Sequence, residues 1–123
     1  MKTLSAILLL VCFGLSPSTA YAHHSFIMFD RDKVITITGT VKEFQWTNPH
    51  VWIQILIPTE SGEEEEWGIE AGSPNMLRRS GWRYDTLKPG DNISLTIHPY
   101  RDGRDGGSFI SMIDENGHTL ENF

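Results

Sequence analysis

His23 and His24 stand directly behind Ala20-Tyr21-Ala22, the small-x-small pattern at which a leader peptidase cuts. Cleavage there leaves a free α-amino group on the same residue as an imidazole. The amine and Nδ1 of one histidine close a chelate ring, and a second imidazole completes a T-shaped set of three nitrogens. Such tetragonal nitrogen coordination suits Cu(II), which heads the divalent affinity series. His50 is the preferred third ligand, because it opens a strand beside the rigid Asn48-Pro49 turn on the face opposite the expected core. His24 is the neighbour that can substitute, and His98 is a more distant option. The competing reading is a solvated His-His start with no metal role. A second candidate site gathers Trp46, Asn48, His50 and Trp52 as a platform for a small ligand or a protein partner. Trp52 shares the face of His50, although its ring can instead pack under an N-terminal arm through Phe26 or Phe29.

The elements that must position these groups begin after a leader. Residues 1–22 run from Lys2 through an apolar stretch, Leu4 to Leu15, to the Ala-x-Ala site, the pattern of an exported protein. That stretch is too short to span a bilayer as a stable helix, so no lasting membrane insertion is expected. Cys12 is the only cysteine, and Val11 before it is a poor match to the small residue that lipidation requires. A secreted chain without disulfides fits a periplasm better than an extracellular scaffold. Residues 23–123 then form a single domain, with an arm over 23–32.

Of 10 basic residues only Lys2 falls in the leader, so 9 face 16 acidic ones and the formal charge after cleavage is −7. Both nucleic acid and anionic membranes need a positive field, so neither is expected as a partner. Much of the charge sits in Glu63-Glu64-Glu65-Glu66, read as a solvated hairpin tip. Enzyme constellations are absent. There is no thiol nucleophile, no G-x-S-x-G elbow, no Walker loop and no H-E-x-x-H. Binding rather than catalysis is therefore expected, and a copper oxygenase is the least favoured use of the histidines.

Period-two alternation dominates the rest. Val34–Trp46 is a long strand with Ile35, Ile37 and Val41 on one face, after which the parity flips to Phe44 and Trp46. A glycine (Gly39) and a parity change within one strand predict a bulge or bend. His50–Ile57 points Val51, Ile53, Ile55 and Ile57 one way and His50, Trp52, Gln54 and Leu56 the other, and Glu65–Ala71 returns with Trp67, Ile69 and Ala71 on one face. Ser73 caps a short helix with Pro74 at its first position, Met76 and Leu77 as its apolar side and Gly81 beyond its end. The helix start and Arg78, Arg79 and Arg83 suggest an anion site, but a simple cap with arginines paired to surface carboxylates is preferred. Asn92–His98 and Ser108–Asp114 follow, and Asn116-Gly117 turns into a short edge strand over 119–123. Strand, strand, strand, helix, strand, strand is the order of a five- to six-stranded OB-like barrel, with a small β-sandwich as the competitor.

The segments Ala22-His23-His24-Ser25-Phe26, Thr47-Asn48-Pro49-His50-Val51-Trp52 and Gly72-Ser73-Pro74-Asn75-Met76-Leu77-Arg78 stand together with Leu87-Lys88-Pro89-Gly90-Asp91. In these the chain resembles an uncharacterised family of small exported bacterial proteins, a domain of unknown function. The resemblance covers nearly all of residues 23–123 and implies export without assigning an activity. The free histidine terminus is also similar to the histidine brace of copper monooxygenases and copper carriers, by analogy alone. The sequence thus leads to a periplasmic, non-catalytic barrel that binds a ligand or partner. A copper carrier or redox site is the alternative.

Overall fold

The computed structural model describes residues 27–122; the leader, His23, His24 and Phe26 lie outside them. Six strands and one helix follow in the expected order: β1 (Ile35–Gln45), β2 (Trp52–Pro58), β3 (Glu64–Glu70), α1 (Pro74–Arg79), β4 (Asn92–Pro99), β5 (Gly106–Asp114) and β6 (Thr119–Glu121). The sheet runs β3-β2-β1-β4-β5-β6, and a parallel pairing of β3 with β5 closes five strands into a barrel. Closure of this kind is that of an OB-type barrel and excludes the sandwich.

β1 serves both halves of the barrel. Ile35 to Thr40 pair with β4, Thr40 to Gln45 pair with β2, and the register shifts between Val41 and Glu43. The parity flip in the sequence is this bulge, which bends the strand around the core. Gly39 sits at the bend because a β-carbon there would lie 2.2 Å from the Leu56 carbonyl oxygen. The closing seam uses the same device. Gly106 and Gly107 open β5 two residues ahead of the expected Ser108. Side chains there would meet the carbonyl oxygens of Gly68 at 2.3 Å and His98 at 2.2 Å. Glycine pairs with glycine across the seam, Gly68 opposite Gly106.

The alternation pays off inside. Val51, Ile53, Ile55, Ile69, Leu95 and Ile97 are fully buried, and Trp82 meets Phe109 edge-on with ring centroids 5.3 Å apart. α1 turns Pro74 and Leu77 inward, Leu77 being fully buried. Met76, expected beside Leu77 on the apolar side, falls between these two inward positions and is 43 % exposed. Trp67 is half-buried and packs against the core from outside rather than within it. Ser73 caps the helix as expected: its hydroxyl accepts the Met76 N–H at 3.3 Å. Among the described residues no helix is long and apolar enough to cross a membrane.

Candidate functional site

His50 lies between the Asn48-Pro49 turn, whose peptide bond is cis, and the start of β2. The segment is pinned on both sides. The Val51 N–H donates to Gly72 at 3.0 Å, the Ala71 N–H donates to Val51 at 2.8 Å, and the Thr47 hydroxyl donates to the His50 carbonyl at 2.9 Å. The imidazole is oriented through one nitrogen. Nδ1–H donates to the Ala71 carbonyl at 3.1 Å and has the Glu70 carboxylate at 3.4 Å. A carbonyl can only accept, so this geometry selects the tautomer that carries its hydrogen on Nδ1. Nε2 keeps its lone pair and has no hydrogen-bond partner among the described residues.

The ring lines a cleft of about 260 Å³ with Phe29, Arg31, Glu70, Ser73, Met76 and Asn122 among its walls. Five separated segments therefore meet here: the N-terminal arm, the entry to β2, the β3–α1 junction, the start of β5 at Ser108 and the C-terminal tail. Asn122 is held by its backbone N–H, which donates to Ile110 at 2.9 Å, and by its side-chain amide, which donates to Phe109 at 3.3 Å. Its Oδ1 is buried without a donor. Gly72 leaves room for that oxygen, since a β-carbon there would approach it to 2.9 Å.

The arm is fastened to the β4–β5 loop. Phe29 forms a β-bridge with Tyr100 and stacks on its ring at 4.8 Å. The Asp30 N–H donates to Pro99 at 2.8 Å, and the Arg101 N–H donates to Met28 at 2.9 Å. The Asp30 carboxylate faces both Lys33 and Arg101. His98, the distant ligand option, does not line this cleft; like His50 it donates Nδ1–H to a carbonyl, that of Lys33 at 2.8 Å, and its Nε2 has no hydrogen-bond partner among the described residues. Among the described residues no three of His, Cys, Asp and Glu gather as a metal site.

A family model described as a family of unknown function, DUF6152, matches residues 10–109. The chain belongs to DUF6152. No curated protein matches it. Among solved structures, the DUF6152 chain is similar to the mitochondrial single-stranded DNA binding protein Rim1 of S. cerevisiae. Identity is 12 %, the match covers 74 % of this chain and 97 % of that one, and the TM-score is 0.47.

Of the four residues of the expected ligand platform, His50 alone lines this cleft of the DUF6152 barrel. Trp46 packs against Phe44 with ring centroids 5.8 Å apart, and the Arg78 guanidinium lies 5.8 Å from its ring centroid. Its Nε1 is buried without a partner. Asn48 is exposed in the turn. Trp52 is half-buried on the outer face, opposite Glu70 in the sheet. Phe29 stacks on Tyr100 rather than holding Trp52. The arginines also depart from expectation. Arg78, Arg79 and Arg83 form no ion pair among the described residues, because the acidic run lies in the β2–β3 hairpin, where Lys42 takes Glu66. Arg78 and Arg79 instead occupy the last turn of α1, where the carbonyl end of the helix favours cations. His23 and His24, the other two expected ligands, lie outside the described residues.

Glu70 is the functional candidate that the strand patterns alone did not reveal. The signal was in the register. Pro58 opposite Glu64 places Trp52 opposite Glu70, so that His50 and Glu70 become diagonal neighbours on one face of the hairpin.

Proposed function

We propose that this DUF6152 protein is exported to the periplasm and serves there as a non-catalytic binding protein whose ligand is Cu(II). The ion is held by the amine and imidazole of His23 together with Nε2 of His50, with His24 as the alternative imidazole. The observation that carries this reading is the His50 ring itself. A histidine ligand to a metal characteristically donates its other N–H to a carbonyl or carboxylate, and His50 does so to the Ala71 carbonyl. The arm supplies the rest. Met28 is fixed to Arg101, and His23 precedes it by five residues, an extended reach of about 17 Å. Phe29, the next residue, already walls the cleft that His50 lines.

Nucleic acid is not the ligand on this reading. Glu64, Glu66 and Glu70 share the outer face of β3, and phosphates approaching that face meet their charge. A fluorescent oligothymidylate should show no change in anisotropy with the protein in low salt; salt-sensitive binding would refute this point.

The decisive experiment compares two forms of the mature protein, one beginning at His23 and one with a single alanine added before it. Titrated with Cu(II) against a competing chelator, the native start should bind one ion tightly. The extended form and a His50→Ala variant should each lose that tight binding. Equal, weak binding by all three would overturn the assignment. Mass spectrometry of the protein secreted with its own leader should give a first residue of His23; another start would remove the chelate.

A further inference from the structure

We propose that the arginine face around α1 docks the glutamate tip of the β2–β3 hairpin of a second copy of this chain. The proposal goes beyond the copper reading and does not depend on it. Residues 71–84 hold Arg78, Arg79 and Arg83 and none of the chain's 16 acidic residues. The three side chains are exposed and form no ion pair among the described residues. Elsewhere on the surface, by contrast, Lys42 takes Glu66, Arg104 takes Asp102, and Lys33 and Arg101 share Asp30. Arg78 and Arg83 line one cleft with Tyr84 and the buried Trp82, and the Arg78 guanidinium lies 5.8 Å from the centroid of the half-buried Trp46 ring. Tyr84 is 72 % exposed. Arginine, tyrosine and tryptophan are the side chains that carry most of the binding energy of protein interfaces. The next carboxylate along the chain, Asp85, lines a different cleft.

The matching charge stands at the other end of the molecule. Glu60, Glu63 and Glu64 crowd the turn between β2 and β3, are exposed, and form no ion pair among the described residues. Trp46, under Arg78, follows Gln45, which pairs with Trp52, and Trp52 stands opposite Glu70. The tip begins beyond Pro58 and Glu64, at the far end of the same hairpin. β3 holds the two ends apart by seven residues, about 20 Å at about 3.3 Å per residue. That exceeds the screening length of about 10 Å in about 0.1 M salt, so tip and face of one chain do not neutralise each other. Those of two copies do: a guanidinium takes a carboxylate through two parallel hydrogen bonds, and the Tyr84 phenol adds a further donor. The contact joins unlike surfaces and leaves a free tip and a free face, so it propagates into longer chains. Salt acts in two directions. At about 0.01 M, with screening over about 30 Å, the negative copies repel as whole ions, and at about 1 M even adjacent charges are screened. Association is therefore strongest between these limits.

The test uses the chain from His23 with a metal chelator present throughout, so the outcome is independent of copper. Sedimentation equilibrium in about 0.1 M salt should give a mean mass that rises with protein concentration past that of a dimer, and the rise should vanish in about 1 M salt. Two neutralised variants separate the surfaces. One carries Arg78→Gln, Arg79→Gln and Arg83→Gln; the other carries Glu60→Gln, Glu63→Gln and Glu64→Gln. Each alone should be a monomer. Their equimolar mixture should stop at a dimer of unlike copies, because only one intact tip and one intact face then meet. All six positions are exposed, and thermal unfolding checks that both variants keep the fold. Were the arginine variant to lose its fold, the tip variant still decides, since it must be monomeric alone and must shorten wild-type chains when added to them. A wild-type protein that stays monomeric overturns the proposal. So does a tip variant that still associates, or a mixture of the two variants that grows past a dimer.

Discussion

Replacing Gly106 by alanine puts a methyl group 2.3 Å from the Gly68 carbonyl oxygen and 2.8 Å from the Tyr100 ring. Ordinary contact begins near 3.4 Å, so β3 and β5 must part by roughly 1 Å at the seam that closes the barrel. Gly106 also has φ of 141°, a region that side chains rarely adopt. That backbone strain costs about 1–3 kcal/mol. Loss of one or two of the parallel hydrogen bonds adds about 1 kcal/mol each, for a total near 2–5 kcal/mol. In a domain of this size such a loss lowers the unfolding midpoint by more than about 10 °C. Gly103→Ala is the internal control: its φ of 80° is also positive, but nothing lies within 4 Å of an added β-carbon. It should cost only about 1–2 kcal/mol. Urea unfolding followed by circular dichroism gives both values, and amide exchange at Ile69 and Glu70 should accelerate only in the Gly106 variant. Equal destabilisation by the two substitutions would show that strain alone matters and that the close approach of the seam does not.

Further outcomes are expected elsewhere in the barrel. Leu77→Ala truncates the fully buried side chain of α1 and should cost about 2–5 kcal/mol in chemical unfolding. Trp46→Phe removes a buried N–H without a partner and should stay within about 1 kcal/mol of wild type. Trp82→Phe should cost more in the same assay, because it loses both buried ring volume and the bond from Nε1 to the Glu121 carbonyl. Asp114 has its carboxyl held below the usual value of 3.8, chiefly by the His118 backbone N–H. Its contribution to stability is full above that value and disappears as pH falls through the depressed one, so Asp114→Asn should flatten the acid limb of a stability–pH profile.

The alternation in β2 and β4 was enough to place their strands and most of the core, because each has one face in water and one in the barrel. The helix was equally legible, since Ser73 and Pro74 act through local backbone geometry. Closure was harder to read. It depends on Gly68 meeting Gly106 across 37 intervening residues, and glycines write no pattern of their own. Gly106 and Gly107 therefore looked like the end of a loop. The candidate site was legible in part for the same reason. His50 stood out by residue type and its place after a rigid turn. Its partner Glu70 became visible only with the hairpin register, and Asn122 only with the return of the tail. The arginines misled because net charge says nothing about where the carboxylates lie.

A cleft assembled from five chain segments makes site variants and fold variants hard to tell apart. Gly72 faces Asn122, the arm hangs on the loop between β4 and β5, and Glu70 and Ser108 pair across the closing seam. Disturbing any of these moves the walls around His50, so lost binding in such a variant would be ambiguous. One perturbation escapes the difficulty. Adding one residue before His23 converts its amine to an amide and leaves the sequence of residues 27–122 unaltered. If the site is what the orientation of His50 implies, that addition must weaken copper binding while unfolding of the metal-free barrel stays the same. No rearrangement of the fold accounts for that combination.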